Sequence, residues 1–417
     1  MKAQLQLALR VLARRKFFTF ISLFGISFTL VVLMLVTAIV DHVFATHPPE
    51  TRLERTLGVY RMELIGKDFR RRSGPNWSFL DQQIRTLPGV ERVSIFRVQH
   101  GVDAYHQGRK LKLYIKRTDG EFWKILDFRF VEGAPYTSAD HDAGRFVAVI
   151  NESTRERFFG DAPALGRSIT IDGQTFRVVG VVEDVPITRV IPFGDVWAPI
   201  TTAKSQAYRF EQYTDDFMAL VMANSPADFP RLKAEVQRRT SLTPVGGPGD
   251  FERRNTALET PFEALASQLP SGELGERLGI APPLLLGGML ALMAILFMIL
   301  PAMNLVNLNL SRILERASEV GVRKAYGASK RQLVMQFVVE NVVLTLIGAA
   351  IGLALSAAVL HLINTSGAIP YADFGVNLRI FGWGVLMAIV FGVVSGVFPA
   401  WRIARLHPVL ALKGEAR

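Results

Sequence analysis

The residue types that carry enzymatic or metal chemistry occur in this chain without the spacing that such chemistry needs. The segment nearest to a phosphate-binding loop is GDAPALGRS at Gly160–Ser168. It has five residues between its glycines instead of four, and Arg167 where lysine is required. The chain contains no cysteine, so thiolate metal sites and cysteine nucleophiles are excluded. His100 and His106 are close in sequence, but two histidines on a hairpin are more often solvent-facing than metal-binding. We therefore predict no catalytic, cofactor-binding or metal-binding residue in this chain.

The most distinctive pattern is ERASEVGVRKAYGASKRQL at Glu315–Leu333, a charged segment between two apolar runs. Its charges alternate in sign along a helical pattern at Glu315, Glu319, Arg323 and Lys324. Gly327 can end that helix at a sharp turn, and Ser329 can cap the next one. A rigid charged helix joined to an apolar helix would act as a lever. A solvated loop is the simpler interpretation, but it does not account for the acidic residues or for the Gly-Ala-Ser turn.

Four apolar runs are long enough to cross a membrane, which takes about 20 residues. They lie at 17–40, 284–306, 334–363 and 379–400. The first run also resembles a signal peptide, since basic residues precede it. Its uncharged stretch of 24 residues is longer than a signal-peptide core of roughly 7–15 residues, so we expect a retained anchor. Residues 1–16 favour an amphipathic helix, which would either lie at the bilayer interface or simply lead into the first span.

The basic excess of the chain lies beside these apolar runs. The net charge is +11, from 48 Lys and Arg against 37 Asp and Glu. Residues 41–281 hold 32 of each sign, so the whole excess lies outside this segment. Short basic segments beside apolar runs are typical of membrane orientation, whereas a nucleic-acid groove needs a basic patch on a folded domain. The charge distribution predicts a membrane protein and no nucleic-acid partner.

The same charges predict which side of the membrane each segment faces. Lys and Arg number five in 1–16, six in 307–333, four in 401–417 and none in 364–378. Both termini and residues 307–333 are therefore predicted to be cytoplasmic, with residues 41–281 on the other side.

Residues 41–281 contain no long apolar run and predict a folded domain outside the membrane. Residues 59–98 favour a strand, a helix capped by Ser78 and a second strand. Residues 217–239 repeat the strand and the helix, with Ser225 as the cap.

A β-rich stretch is predicted between these two βα halves. Asn151 is expected to cap a short helix that Gly160 closes. Asp172–Gly173 is a strong signal for a two-residue hairpin turn. Residues 246–250 and 271–283 read as linkers. The predicted fold is an α-helical membrane protein with four transmembrane helices and a large α+β domain, built of two βα halves with a β-rich inserted subdomain.

Small residues recur every four positions in the last two apolar runs. They are Gly348, Gly352 and Ser356 in the third run, and Gly384, Ala388, Gly392 and Gly396 in the fourth. Such stripes let a neighbouring helix approach closely. The competing explanation is that Gly and Ala are common in membrane helices. We expect the stripes to be helix-packing surfaces, either within the chain or against a second copy.

Several segments resemble the MacB/FtsX-type permeases of ABC transporters, over nearly the full length of the chain. The most specific segment begins at Glu315 and reads ERASEVGVRKAYGASKRQLVMQFVVENVVLTLIGAAIGL. A second is the C-terminal FPAWRIARLHPVLALKGE, and a third is RFVAVINESTRERFFGDAPALGRSITIDGQTFRVVGVVEDV, which is similar to the family's periplasmic core. The N-terminal ALRVLARRKFFTFISLFGIS fits as well.

The resemblance implies a multi-pass protein of the bacterial inner membrane. The implied domains are a cytoplasmic amphipathic helix at 1–16, spans at 17–40, 284–306, 334–363 and 379–400, a periplasmic core domain at 41–281, a cytoplasmic coupling loop at 307–333, a short periplasmic loop at 364–378 and a cytoplasmic tail at 401–417. The residues expected to couple to an ATPase are Glu315, Glu319, Gly321, Arg323, Lys324, Gly327, Ala328 and Ser329.

The resemblance also implies partners. They are ABC-type ATPase subunits, which would bind the ATP and Mg²⁺ that this chain does not bind, and a second permease chain in a homo- or heterodimer. A periplasmic adaptor is a further candidate. The implied function is mechanotransmission for export or extrusion of an antibiotic, peptide or lipoprotein, with hydrolysis in the partner. Three alternatives stay open: a regulatory protein that activates a periplasmic partner without transport, a membrane-anchored binding or structural protein without energy input, and, most remotely, an enzyme in the outer domain.

Overall fold

The computed structural model describes residues 16–404, with gaps. The gaps are 45–46, 68, 107, 211–213, 246–250, 294, 297–321, 323–325, 327–328, 368–369 and 372–373. The chain forms two compact units. We call residues 43–285 with 369–372 the α+β unit, and the remainder of the chain the helical unit.

The helices are α1 Lys16–Phe44, α2 Trp77–Phe79, α3 Phe122–Ile125, α4 Ser138–Asp142, α5 Glu152–Phe159, α6 Phe229–Leu242, α7 Pro261–Gln268, α8 Pro270–Leu278, α9 Pro282–Met293, α10 Lys330–Thr365 and α11 Leu378–Ala404. The strands are β1 Thr56–Val59, β2 Met62–Gly66, β3 Arg70–Pro75, β4 Val90–Arg97, β5 His100–His106, β6 Arg109–Thr118, β7 Phe130–Gly133, β8 Val147–Asn151, β9 Ser168–Ile171, β10 Gln174–Val182, β11 Val196–Pro199, β12 Thr214–Asp215, β13 Phe217–Ala223 and β14 Phe251–Thr256.

Two sheets build the α+β unit. The larger has ten strands in the order β1-β13-β4-β6-β11-β8-β10-β9-β5, with β7 paired to β10. The smaller has the order β12-β3-β2-β14. In the larger sheet β5 pairs with both β6 and β9, so the six strands from β5 to β11 other than β7 close on one another. Their inward residues form one buried apolar cluster that includes Leu113, Ile150 and Phe176.

Local signals account for several elements of this unit. Asp172 and Gly173 both have positive φ, 52° and 70°, as the predicted two-residue turn between β9 and β10 requires. Asn151 accepts the N–H of Thr154 at 3.0 Å and caps α5, which ends at Gly160 with φ 61°. Ser225 caps the helical turn that leads into α6. These predictions, and the β-rich stretch between the two βα halves, are confirmed.

Three predictions of detail are wrong. The cap of α2 is Asn76, whose Oδ1 accepts the N–H of Phe79 at 2.8 Å, and not Ser78. The strand predicted from residue 59 is two strands, because the chain leaves the large sheet after Val59 and enters the small one at Met62. Residues 271–283 are mostly helical, in α8 and the start of α9. The predicted linker at 246–250 lies outside the described residues.

In the helical unit α1, α10 and α11 pack on one another through a buried cluster that includes Ile26, Leu30, Leu344 and Phe381. Among the described residues, two helices are long and apolar enough to cross a membrane, at Thr19–Asp41 and Val334–Thr365. The apolar helices Pro282–Met293 and Leu378–Val390 are shorter in the described part of the chain. Most of the run predicted at 284–306 lies outside it.

Candidate functional site

The residues predicted to couple to an ATPase lie almost entirely outside the described part of the chain. These are Glu315, Glu319, Gly321, Arg323, Lys324, Gly327 and Ala328. Ser329 is described and caps α10 in a reciprocal arrangement. Its Oγ accepts the N–H of Gln332 at 3.2 Å, and its own N–H donates to the Gln332 side chain at 3.0 Å. The cap fixes the start of α10 at Lys330, so residues 330–333 at the end of the predicted coupling loop are helical.

The small residues of the third apolar run face α1. A Cβ added to Gly348 would lie 2.8 Å from Cγ2 of Ile26, and one added to Gly352 would lie 3.2 Å from Cβ of Leu30. Ser356 is fully buried, and its Oγ donates to the carbonyl oxygen of Gly352 at 2.7 Å.

The stripe of the fourth run is described in part. A Cβ added to Gly384 would lie 2.9 Å from Cδ2 of Leu33, again on α1. Ala388 is half-buried on α11. Gly392 and Gly396 lie in the same helix, outside the residues whose surroundings the structure describes.

One buried arginine holds the first described residues of the α+β unit after the gap at 45–46. Arg189 donates from Nε to Oε2 of Glu50 at 2.8 Å. It also donates from Nη1 to the carbonyl oxygen of Pro48 and from Nη2 to that of His47, both at 2.7 Å. The side chains of Arg189 and Glu50 are each only 6% exposed. We call this set the Arg189 clamp, and it fixes three residues near the start of the α+β unit, His47, Pro48 and Glu50, to the core.

A second buried cation lies close to the clamp. Lys116 on β6 is fully buried, and its Nζ donates to Oε1 of Gln99 at 3.0 Å and to the carbonyl oxygen of Val190 at 3.1 Å. The ammonium also lies 5.0 Å from the ring centroid of Phe96. Burial lowers the pKa of Lys116 to about 7, although the Glu50 carboxylate acts in the opposite direction.

This arrangement orders the start of the α+β unit. The guanidinium of Arg189 donates to the Glu50 carboxylate and to two backbone carbonyl oxygens, and such a buried polar network restricts local motion. Sequence reasoning missed the clamp, because Arg189 and Glu50 are 139 residues apart and neither stands in a motif. The one local signal was a basic residue directly before the apolar run at 190–193.

Comparison with known proteins identifies the two units. Residues 19–239 match the model of the MacB-like periplasmic core domain, and residues 291–408 match that of the FtsX-like permease C-terminal domain. The chain belongs to the MacB/FtsX family of ABC transporter permeases. Members of this family are inner-membrane proteins with a periplasmic domain, which corresponds here to the α+β unit. They work with ATPase partners.

Relatives are matched over most of the chain. YknZ of Bacillus subtilis, named as an uncharacterized ABC transporter permease, is 22% identical over 81% of this chain and 80% of its own length. The pyoverdine export ATP-binding/permease protein PvdT of Pseudomonas aeruginosa is 27% identical over 80% of this chain. The macrolide export ATP-binding/permease protein MacB of Chromobacterium violaceum is 28% identical over 71% of this chain. The matches span 47% and 42% of PvdT and MacB, respectively.

Solved structures of the family's outer domains were also matched. The periplasmic region of MacB from Actinobacillus actinomycetemcomitans covers 52% of this chain at 13% identity, with a TM-score of 0.37. The extracellular domain of YknZ from Gram-positive bacteria covers 43% at 15% identity, with a TM-score of 0.34.

Proposed function

We propose that this chain couples ATP hydrolysis by a separate ATPase subunit to movement of its periplasmic domain. The movement would drive export or extrusion of a periplasmic or membrane substrate such as an antibiotic, a peptide or a lipoprotein. Two chains would form the membrane part of the complex, and the ATPase subunits would bind ATP and Mg²⁺. The observation that carries the proposal is the match to both permease domains of the family.

The relatives support the direction of transport and the separate ATPase. PvdT and MacB are named as exporters. YknZ and YvrN of Bacillus subtilis are named as permeases and are matched over about four fifths of their length. In this proposal the segment Glu315–Ser329 receives the movement of the ATPase, and α10 carries it from its capped start at Ser329.

The Arg189 clamp supports a mechanical role for the periplasmic domain. A domain that is moved by a transmembrane helix needs a stiff junction with that helix, because a flexible junction would absorb the displacement. The clamp joins the residues that follow α1 to the buried core through four short contacts, none longer than 2.8 Å.

Charge reversal at Arg323 and Lys324 tests the proposal in a purified complex with the ATPase. The double variant Arg323→Glu with Lys324→Glu is expected to remain in the membrane but to lose transport that depends on ATP. A matched control reverses Arg14 and Arg15, an adjacent basic pair in residues 1–16 that has the same charge and lies outside the predicted coupling loop. Equal transport by the wild type and the 323/324 variant would refute the coupling role. Substrate-stimulated ATP hydrolysis would distinguish transport from activation of a periplasmic partner.

A further inference from the structure

The connector between α10 and α11 contains residues that belong to the α+β unit. Residues 369–372 fall in that unit, and Pro370 and Tyr371 are described. The carbonyl oxygen of Pro370 accepts the N–H of Ile187 at 3.3 Å. The hydroxyl of Tyr371 donates to Oδ1 of Asp195 at 2.7 Å, across 176 residues of sequence. The connector is thus bonded to the core of the α+β unit at two points.

Asp195, which accepts the hydrogen bond from Tyr371, is a buried carboxylate with further hydrogen-bond donors around it. It is 2% exposed and directly precedes β11. Its Oδ2 accepts the N–H of Tyr114 at 2.8 Å, and its Oδ1 accepts from Nδ2 of Asn151 at 3.3 Å. Among the described residues, no Lys or Arg forms an ion pair with it, and its carboxylate oxygens accept hydrogen bonds from neutral groups. The Tyr371 hydroxyl adds a charge-assisted bond, the stronger class of hydrogen bond.

Further contacts hold Tyr371 in its place. Nη2 of Arg157 donates to the Tyr371 hydroxyl oxygen at 3.3 Å, and the ring lies 6.4 Å from that of Phe193. Burial, reinforced by the charge of Asp195, raises the pKa of Tyr371 to about 12, so its hydroxyl remains a donor at neutral pH. The backbone φ of Tyr371 is +57°, a region that residues other than glycine seldom occupy. The docked contacts must outweigh this unfavourable conformation.

Hydrogen bonds also join the two ends of the connector on its helical side. Asn364 and Phe374 exchange two hydrogen bonds across the base of the connector, at 3.1 and 3.0 Å. α10 has 36 residues and so is about 54 Å long at 1.5 Å per residue. It runs from Ser329, at the end of the predicted coupling segment, to the connector. α10 and the hydrogen-bonded residues Asn364 and Phe374 thus lie on the helical side of the connector, and Pro370 and Tyr371 lie in the α+β unit.

We propose that Tyr371 is a coupling residue that fastens the α10–α11 connector to the periplasmic core, so that displacement of α10 is passed to β11 through Asp195. This inference rests on the proposed function, in which α10 is displaced by the ATPase. It adds a second route into the domain, beside the one through α1 and the Arg189 clamp. A connector that only fills space would need neither the hydroxyl of Tyr371 nor the carboxylate of Asp195.

The first test is amide hydrogen exchange of the full chain in lipid nanodiscs without ATPase. Tyr371→Phe removes only the hydroxyl. Because a hydrogen bond to a charged group shifts an equilibrium by about ten- to a hundredfold, the Ile187 amide is expected to exchange about tenfold faster or more. Tyr114→Phe is the matched control. Its ring also lies against Phe193, at 5.4 Å, and within the described residues its hydroxyl makes no hydrogen bond. Unchanged exchange at Ile187 in Tyr371→Phe overturns the docking.

The second test uses the complex with its ATPase. Tyr371→Phe is expected to lower the substrate moved per ATP hydrolysed at least severalfold, at unchanged ATPase binding, whereas Tyr114→Phe leaves the ratio unchanged. Faster exchange with an unchanged ratio overturns the coupling role of Tyr371 and leaves the proposed function intact. Failure of the wild-type chain to bind any ATPase overturns the proposed function, while the exchange measurement still decides whether Tyr371 holds the connector.

Discussion

Replacement of Arg189 by methionine tests the Arg189 clamp. Methionine retains most of the apolar volume of arginine but removes the donors to Glu50, Pro48 and His47. The Glu50 carboxylate is then left buried without its charge partner. Loss of one member of a buried ion pair costs about 3–5 kcal/mol, a large part of the 5–15 kcal/mol that holds a typical domain folded.

The measurement is denaturant unfolding of the α+β unit in the full chain, followed by tryptophan fluorescence. Arg129→Met is the control, because Arg129 and Glu183 form an exposed pair at 3.7 Å. Such pairs contribute about 0–1 kcal/mol. The double variant with Glu50→Gln should be more stable than Arg189→Met alone, since it leaves no buried carboxylate without its arginine. Equal losses in Arg189→Met and Arg129→Met, or a double variant no more stable than the single one, would refute the reasoning.

Three further predictions follow from the described residues. Burial lowers the pKa of Lys116 to about 7 in the folded chain, so the unfolded chain binds this proton more tightly. The free energy of unfolding should therefore fall by up to about 1.4 kcal/mol per pH unit as the pH drops from 10.5 towards 7. Lys116→Met should remove this dependence in thermal unfolding measured across that range, and an unaltered slope would contradict the assignment. Gly348→Ala should lower the thermal stability of the helical unit in detergent, because the added Cβ would lie 2.8 Å from Ile26. Gly287→Ala is the control, since its Cβ would meet no atom within 4 Å. Equal effects of the two variants would argue against close packing at Gly348. Ser329→Ala should destabilise the start of α10 by about 1 kcal/mol, which would appear as faster amide exchange in its first turn. Ser329→Thr should keep the slower exchange. Unchanged exchange in the alanine variant would show that the cap does not stabilise the start of α10.

Local chemistry explains which parts of the fold could be predicted. The Asp172–Gly173 turn, the Asn151 cap and the Ser225 cap depend on residues within a few positions of one another, and the sequence shows them directly. Asn76 was missed because it competes with Ser78, which is an equally good capping residue two positions later. The break between β1 and β2 was missed because both strands are apolar and only two residues separate them.

The contacts that matter most for the proposed mechanism could not be predicted in this way. Arg189 contacts Glu50 across 139 residues of sequence, and Tyr371 contacts Asp195 across 176 residues. No periodicity or motif indicates such contacts, since they depend on which strands pair in the folded sheet. The predicted coupling segment had the opposite character: its pattern was evident in sequence, but only Ser329 of the proposed residues lies in the described part of the chain.

Movement of the periplasmic domain upon ATP binding is the central claim, and a distance between two copies of the domain tests it most directly. The chain has no cysteine, so Ser241→Cys on the exposed end of α6 would give a single spin-label site. In the nanodisc complex with its ATPase, trapping with ATP and vanadate should shift the distance between the two labels. The shift should be absent when Arg323 and Lys324 are reversed. The same distance distribution with and without trapped nucleotide in the wild-type complex, while ATP is being hydrolysed, would contradict the account.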